Sequence, residues 1–302
     1  MLRKAAALLC ALALLTAPQS ACAAPLHVVA TFSILGDLVK QIGGESVAVE
    51  TIVGPGEDAH MYRPTPQDSA RLAKADLVVI NGLGFEGWMD RLVSGSGYKG
   101  PVVVACRGIA PRSFGPHRHG GEPRAFDPHA WQDVSNVRLY VKNIATALAD
   151  AKPRHATAFA AHARSYDKRL AALDAWIKKE MAAVPTDRRK IITSHDAFEY
   201  FGQAYGVTFL APQGISTEIE PSPARIAALL SQIKKEKVHR VFFETLASPT
   251  LIRRLAEDAH VDVGEPIYSD ALSPPNGPAP TYIDMMRLNA TRFKDALTLN
   301  GS

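Results

Sequence analysis

His60, His129, His195 and Asp270 are the residues whose types and settings could do chemistry together. His60 stands in Gly54-Pro-Gly-Glu-Asp-Ala-His60-Met-Tyr-Arg-Pro-Thr-Pro66 and His129 in Asp127-Pro-His129-Ala-Trp131-Gln-Asp133. His195 stands in Thr193-Ser-His195-Asp-Ala-Phe198, and Asp270 closes Ile267-Tyr-Ser-Asp270. Each follows a strand-like run, and each histidine sits in a short polar segment before the next helical pattern. Imidazole nitrogens and a carboxylate oxygen are ligands for a divalent cation. Open α/β sheets place ligands at the carboxyl ends of their strands. Four groups in the same position relative to four strands can therefore converge on one ion, two from each half of the chain. The remaining histidines read differently. His27 lies in a strand, His155 and His162 on a long helix, and His239 and His260 flank helices, all structural or solvated settings. His117 and His119 lie in a polar loop, where they could touch metal in passing.

The elements that must position these groups alternate. His27 to Phe32, Val47 to Val53, Asp76 to Ile80 and Val102 to Ala105 read as buried strands, with helical spacing over Ile34 to Ile42, Gln67 to Lys74 and Gly87 to Val93. The pattern restarts with strands at Lys190 to Thr193, Val207 to Leu210, Arg240 to Glu244 and Val263 to Tyr268. Helices are expected there at Phe198 to Tyr205, Pro223 to Lys235 and Pro249 to His260. A βαβα order implies parallel sheets covered by helices. From Pro153 to Ala183 there is no glycine and no second proline, and Phe159, Ala163, Tyr166, Leu170, Leu173 and Ile177 form one apolar stripe. A helix of about 30 residues is about 45 Å long, comparable to a lobe, and makes a stiff connector. The expected fold is α/β: two (β/α)-type lobes with parallel sheets joined by one long rigid helix, with a metal site in the interlobe cleft. The expected boundaries are 1–23 for a signal peptide, 24–150 for the first lobe, 151–185 for the helix and 186–302 for the second lobe. Pro111 to Pro128 and Ser273 to Pro280 read as loops, and a last helix runs from Tyr282 to Leu297.

Several function classes fall away. The 302 residues are 47% hydrophobic and 21% charged with a net charge of +4, a globular balance whose scattered lysines and arginines argue against a nucleic-acid partner. Gly82-Leu-Gly84-Phe-Glu-Gly87 imitates a dinucleotide fingerprint, but no acidic residue follows about 20 positions on to hold a ribose. These glycines read as a tight strand-to-helix turn. There is no H-E-x-x-H, no G-x-S-x-G and no Walker A motif. Arg3 and Lys4, the apolar run Ala5 to Leu15 and Ala21-Cys22-Ala23 form an export signal. The apolar run is about 11 residues, too short to span a bilayer, which takes about 20. Cys22 offers a lipid anchor, but Gln19 stands where a lipoprotein signal normally has leucine, which favours soluble export to the periplasm. Cleavage after Ala23 leaves Cys106 as the one cysteine, so no intrachain disulfide can form.

With the segments around His60, His129, His195 and Asp270, the run Ser216-Thr-Glu-Ile-Glu-Pro-Ser222 and the connecting helix, the chain resembles the zinc/manganese solute-binding proteins of bacterial ABC importers, the cluster A-I, TroA/ZnuA-like family. The resemblance covers the whole mature chain. It implies two lobes joined by a rigid helix, and His60, His129, His195 and Asp270 as the four metal ligands. It also implies delivery to a membrane permease by a monomer, with a periplasmic zinc chaperone as a further possible partner. Zinc members often carry a long His- and acid-rich loop, which is shortened here to His117-Arg-His119-Gly-Gly. Manganese-type members use a carboxylate where this chain has His195. Imidazole suits zinc and hard oxygen donors suit manganese, so Zn(II) is the expected cargo and Mn(II) the alternative. Three neutral imidazoles and one carboxylate complete a tetrahedron around zinc and leave no place for an activated water. Capture is thus expected rather than turnover, against the alternatives of a secreted zinc hydrolase or an anchored surface adhesin. Asp127, Asp133, Asp196, Glu218 and Glu220 could orient imidazole N–H groups, although Asp133 could simply cap a helix and Glu220 could serve a turn before Pro221. Trp131, Phe198 and Tyr268 are expected to wall the cleft or to belong to the core.

Overall fold

The computed structural model describes residues 24–113, 126–212, 214–218, 222–236, 238, 240–246 and 249–298. The export signal with Cys22, the loop holding His117 and His119, His239 and Glu220 lie outside these residues.

Two four-stranded parallel sheets are built in the same way. The first contains β1 (Leu26–Phe32), β2 (Val47–Val53), β3 (Leu77–Ile80) and β4 (Val102–Val104) in the order β2-β1-β3-β4. The second contains β5 (Lys190–Ile192), β6 (Thr208–Leu210), β7 (Arg240–Val241) and β8 (Asp262–Val263) in the order β6-β5-β7-β8. In each sheet the chain moves first to one side of its opening strand and then to the other, which leaves a crevice at the carboxyl edge. β1 pairs on both sides, Val28 opposite Val49 and Leu77. Both its faces are covered, which is why Val28 to Phe32 are all buried rather than alternately exposed.

Helices cover the sheets: α1 (Ser33–Gly43), α2 (Pro66–Ala73), α3 (Met89–Ser96) and α4 (Val134–Ala151) on the first, and α6 (Glu199–Tyr205), α7 (Pro223–Glu236) and α8 (Pro249–Ala259) on the second. α5 (Ala156–Ala182) connects them, and α9 (Tyr282–Thr298) closes the described chain. At 1.5 Å per residue α5 is about 40 Å long. It buries Phe159, Tyr166, Leu170, Leu173 and Ile177 of the expected stripe, plus Met181. It packs on α1 and α4 on one side and α6 and α9 on the other. One continuous apolar core therefore runs from β1 through α5 to Phe293 of α9. A smaller core under α7 and α8 contains Ile192, Leu229, Ile233, Val241 and Leu255.

Some elements differ from the sequence reading. α4 was expected only as a helix after Asp133, without bounds; Val134, Val137, Tyr140, Val141, Ile144 and Leu148 are buried at helical spacing and the Asp133 carboxylate caps the helix through the Ser135 N–H at 2.8 Å. Pro153–His155 form a separate 3-10 turn before α5. The run from Val263 to Tyr268 is not one strand. It leaves the sheet after Val263, where Pro266 has no N–H to give, and returns at a single bridge between Ile267 and Glu244. The Gly82–Gly87 turn takes positive φ at Gly82, Leu83 and Gly84. A Cβ on Gly82 would lie 2.6 Å from a Val104 methyl and 2.9 Å from the Cys106 sulfur, so only glycine fits.

Candidate metal centre

The loop between β2 and α2 carries His60 and is fixed at its far end by a capping box. Asp68 accepts the Thr65 N–H at 2.7 Å and the Tyr62 hydroxyl at 2.8 Å, while Thr65 accepts the Asp68 N–H. Burial pushes the Asp68 carboxyl up, but the Thr65 and Tyr62 hydrogen bonds and Arg71 outweigh it and hold the group below its ordinary range. The folded chain thus keeps Asp68 ionised to lower pH than the unfolded chain does. The stability this gives is complete above the unfolded pKa of about 4 and is lost as pH falls through the folded value. Asp68→Asn is expected to weaken the melting-temperature drop of the metal-free protein in that acid window; an unchanged drop would contradict it.

His129 lies well past β4, not in a short segment after it, and precedes a 3-10 turn, Ala130–Gln132. Asp127 accepts both the His129 N–H and its ring Nδ1–H at 2.9 Å. Buried Asn81 donates to the Pro128 carbonyl at 2.9 Å and accepts the Tyr140 hydroxyl at 2.5 Å, and so clamps the same segment from β3. Glu86 stiffens the preceding turn, accepting the Thr31 hydroxyl and the Asn81 N–H at 2.6 Å each. That turn sets the Phe85 ring edge-on to His60 with centroids 4.8 Å apart. Trp131 and Gln132 both donate to the Ser269 carbonyl at 2.9 Å, so the His129 segment also positions the residue before Asp270.

His195 follows β5. Its Nδ1 pairs with Glu244 Oε2, while Glu244 Oε1 accepts the Ser194 and His195 N–H groups at 2.9 and 3.0 Å. His60 is set by Asp58, which accepts its N–H at 2.8 Å and, from the other lobe, the Thr217 hydroxyl at 2.7 Å.

The structure brings all four sequence-predicted residues together, with one donor atom from each lying within 4.8 Å of the others. The closest separations are short. His60 Nε2 is 3.3 Å and His195 Nε2 3.4 Å from His129 Nε2. Asp270 Oδ2 is 3.5 Å from His60 Nε2 and 3.2 Å from His195 Nε2, and Oδ1 is 3.5 Å from His129 Nε2. Both Asp270 oxygens are buried without a hydrogen-bond donor placed to satisfy them. Burial pushes the His60 imidazole down to about 3; Asp270 opposes this, and His129 and His195 add to it. At His195 burial again lowers the pKa, but Glu244 and Asp270 overcome it and raise the pKa well above the imidazole range. Burial raises Asp270, yet His195 and His129 hold it well below the usual carboxylate range. An anionic carboxylate facing three imidazole nitrogens in a dry site suits a divalent cation.

A cleft of about 950 Å³ opens above the cluster, lined by His60, Tyr62, Phe85, Trp88, Ile215 and Glu218 among others. Of the two settings expected for Trp131, Phe198 and Tyr268, cleft wall or core, the first two take the core. Trp131 and Phe198 are fully buried in the core, and Tyr268 is bound through its backbone to Asn289. Of the acids expected to orient imidazoles, Asp127 does so. Asp133 caps α4, and Glu218 is exposed at the cleft. Asp196 donates its N–H to the Gly214 carbonyl at 3.0 Å. Glu244 was missed. Its place at the end of an apolar strand run was visible, but its pairing across to His195 was not.

Fold and site together define a metal-binding protein of two α/β lobes. The chain belongs to the family described as zinc-uptake complex component A, periplasmic, which matches residues 28–296. That is a family of substrate-binding proteins of metal ABC importers, which work with a membrane permease and an ATPase, and not of enzymes. The chain is 34% identical over 274 residues to the manganese-binding lipoprotein MntA of Halalkalibacterium halodurans, covering 90% of this chain and 89% of that one. It is 32% identical over 261 residues to the iron-binding protein YfeA of Yersinia pestis, covering 86% and 83%. Among solved structures it resembles the periplasmic zinc-binding protein TroA from Treponema pallidum, with a TM-score of 0.84 and 30% identity over 91% of this chain and 100% of that one. It also resembles a Mn-bound periplasmic metal-binding protein from Candidatus Liberibacter asiaticus, with a TM-score of 0.80, 28% identity and 90% and 99% coverage. No helix among the described residues is long and apolar enough to cross a membrane.

Proposed function

We propose that this protein captures Zn(II) outside the cytoplasm with His60, His129, His195 and Asp270 and hands it, as a monomer, to the permease of an ABC importer. The observation that carries this is the set of separations between donor atoms. Four ligands about 2.0–2.2 Å from a central zinc stand about 3.3–3.6 Å apart in a tetrahedron; His129 lies 3.3 and 3.4 Å from the other two imidazoles, Asp270 reaches the three rings at 3.2–3.5 Å using both its oxygens, and one donor atom from each residue lies within 4.8 Å of the others. Asp127 and Glu244 engage Nδ1 of two histidines, which directs their Nε2 atoms at the ion. Manganese favours octahedral oxygen sites, and this one offers three nitrogens. The zinc-binding neighbour from Treponema pallidum supports the reading, and the manganese- and iron-named relatives weigh against it.

Mn(II) is the second reading, and one feature favours it. Both Asp270 oxygens face the imidazoles, so bidentate ligation would add a fifth donor. Zinc binds most N/O sites more tightly than manganese whatever their biological cargo, so affinity alone does not decide between them. The test is metal analysis of protein taken from its native compartment, with uptake by a deletion strain under zinc or manganese limitation. One zinc per chain and a zinc-specific growth defect are expected. Manganese loading with a manganese-specific defect would overturn the assignment.

The ion enters and leaves through the cleft above His60, by movement of the 54–65 loop rather than wide lobe closure, since α5 is packed along both lobes. The Asp58–Thr217 hydrogen bond joins that loop to the opposite lobe. The relatives named as lipoproteins support an anchor at Cys22 over the soluble export expected from Gln19. Fractionation of wild type and Cys22→Ala separates the two: an anchored chain moves from membrane to soluble fraction on substitution. The hydrophilic His117–His119 run is a place where a zinc chaperone could pass the ion.

A further inference from the structure

α6 begins four residues after His195, yet it touches the segment that carries His129 on both flanks. On one flank the Tyr200 hydroxyl accepts the Arg112 N–H at 3.1 Å. The Arg112 guanidinium lies 5.6 Å over the Tyr200 ring, donates to the Gln203 side-chain oxygen and pairs with Glu199 at 3.1 Å. The Arg112 carbonyl accepts the Asp127 N–H at 2.9 Å, and Asp127 holds the His129 ring. On the other flank the Tyr205 hydroxyl accepts the Val134 N–H at 3.3 Å and donates to Asp174 of α5 at 3.1 Å.

We propose that Arg112 and α6 form an interlobe clasp that fixes His129 against His195 and so sets how long the metal is retained, with Arg112 as a positioning residue. The inference rests on the reading of His129 and His195 as ligands. The Arg112–Glu199 pair is partly exposed, and as an isolated ion pair it would contribute little to stability. Its leverage comes from where it sits. The same residue grips three side chains of α6 and, through its own carbonyl, the residue that orients His129. Releasing the guanidinium leaves the apolar core intact but lets the hydrogen-bonded pair Arg112 and Asp127 shift relative to α6. A ligand displaced by a fraction of an ångström from a closed tetrahedron loosens the ion, because coordination tolerates only about ±0.2 Å.

The experiment is stopped-flow release of zinc from the loaded full chain into excess chelator, with a chelator titration of the wild type beside it. Arg112→Ala is expected to release zinc about tenfold faster, equal to about 1.4 kcal/mol, with the melting temperature of the metal-free protein held within about 2 °C. Arg112→Glu should release it faster still, and the charge swap Arg112→Glu/Glu199→Arg should return the rate most of the way to wild type, which a general structural defect would not do. Arg112→Lys, which keeps the charge but not the planar fork, should fall between wild type and Arg112→Ala, and it serves if the alanine variant does not fold. Zinc binding by the wild type together with unchanged release from Arg112→Ala or Arg112→Lys overturns the clasp alone, as does a charge swap that rescues nothing. A wild type that takes no zinc overturns the ligand assignment and this inference with it.

Discussion

Asp270→Ala is expected to lower zinc affinity by two to three orders of magnitude, measured by competition with a chelator of known strength. Structural zinc sites release about 10–16 kcal/mol, or about 2.5–4 kcal/mol for each of four ligands. Asp270 carries the one negative charge among the four, and it is buried. Its removal leaves three imidazoles and no anion in a dry cluster, so the cost falls at the upper end of that range. The fold should survive, because the neighbouring Ser269 carbonyl keeps its bonds from Trp131 and Gln132. Zinc affinity unchanged in this variant would remove the ligand assignment.

Glu244→Gln is expected to weaken zinc binding about 10- to 100-fold, the usual effect of losing a group that orients a ligating imidazole. The glutamine oxygen can still accept the Ser194 and His195 N–H groups, which Glu244 Oε1 now accepts at 2.9 and 3.0 Å. Its amide nitrogen, however, replaces the acceptor at Oε2 and presents a donor to His195 Nδ1. The neutral ring must then keep its proton on Nε2, the atom that faces Asp270 and the other imidazoles. The variant therefore tests orientation without removing a ligand. Equal zinc affinity in Glu244→Gln and wild type, in the same chelator competition, would show that the carboxylate has no such role.

Glu244 also marks where the linear pattern stops being informative. The strand run Arg240 to Glu244 could be read from its apolar residues, but nothing along the chain says that β7 lies beside β5. That adjacency comes from the Phe242 N–H bonded to the Ile192 carbonyl, and it carries the Glu244 carboxylate to the Ser194 N–H. Trp131 was ambiguous for the same reason. A tryptophan next to a candidate ligand suits a cleft wall or a core equally well, and only the packing of the 129–134 segment against Ser269 turns it inward. α4 is a different case. Its Asp133 cap could be read along the chain, but its apolar periodicity as far as Leu148 went unused beside the polar loop before it. The break after Val263 was legible in part, because a proline in a strand pattern argues for an interruption.

The chain by itself determined the donor types and the apolar stripe of the connecting helix, because side-chain chemistry and hydrophobic period are local properties. The tertiary structure decided which carboxylate faces which ring, which walls line the cleft and how closely the four donors approach. His60 and Asp270 belong to loops of different sheets, and the 3.5 Å between them is the result of packing both lobes along α5. A distance of that kind is a property of the whole core, so no stretch of sequence encodes it alone.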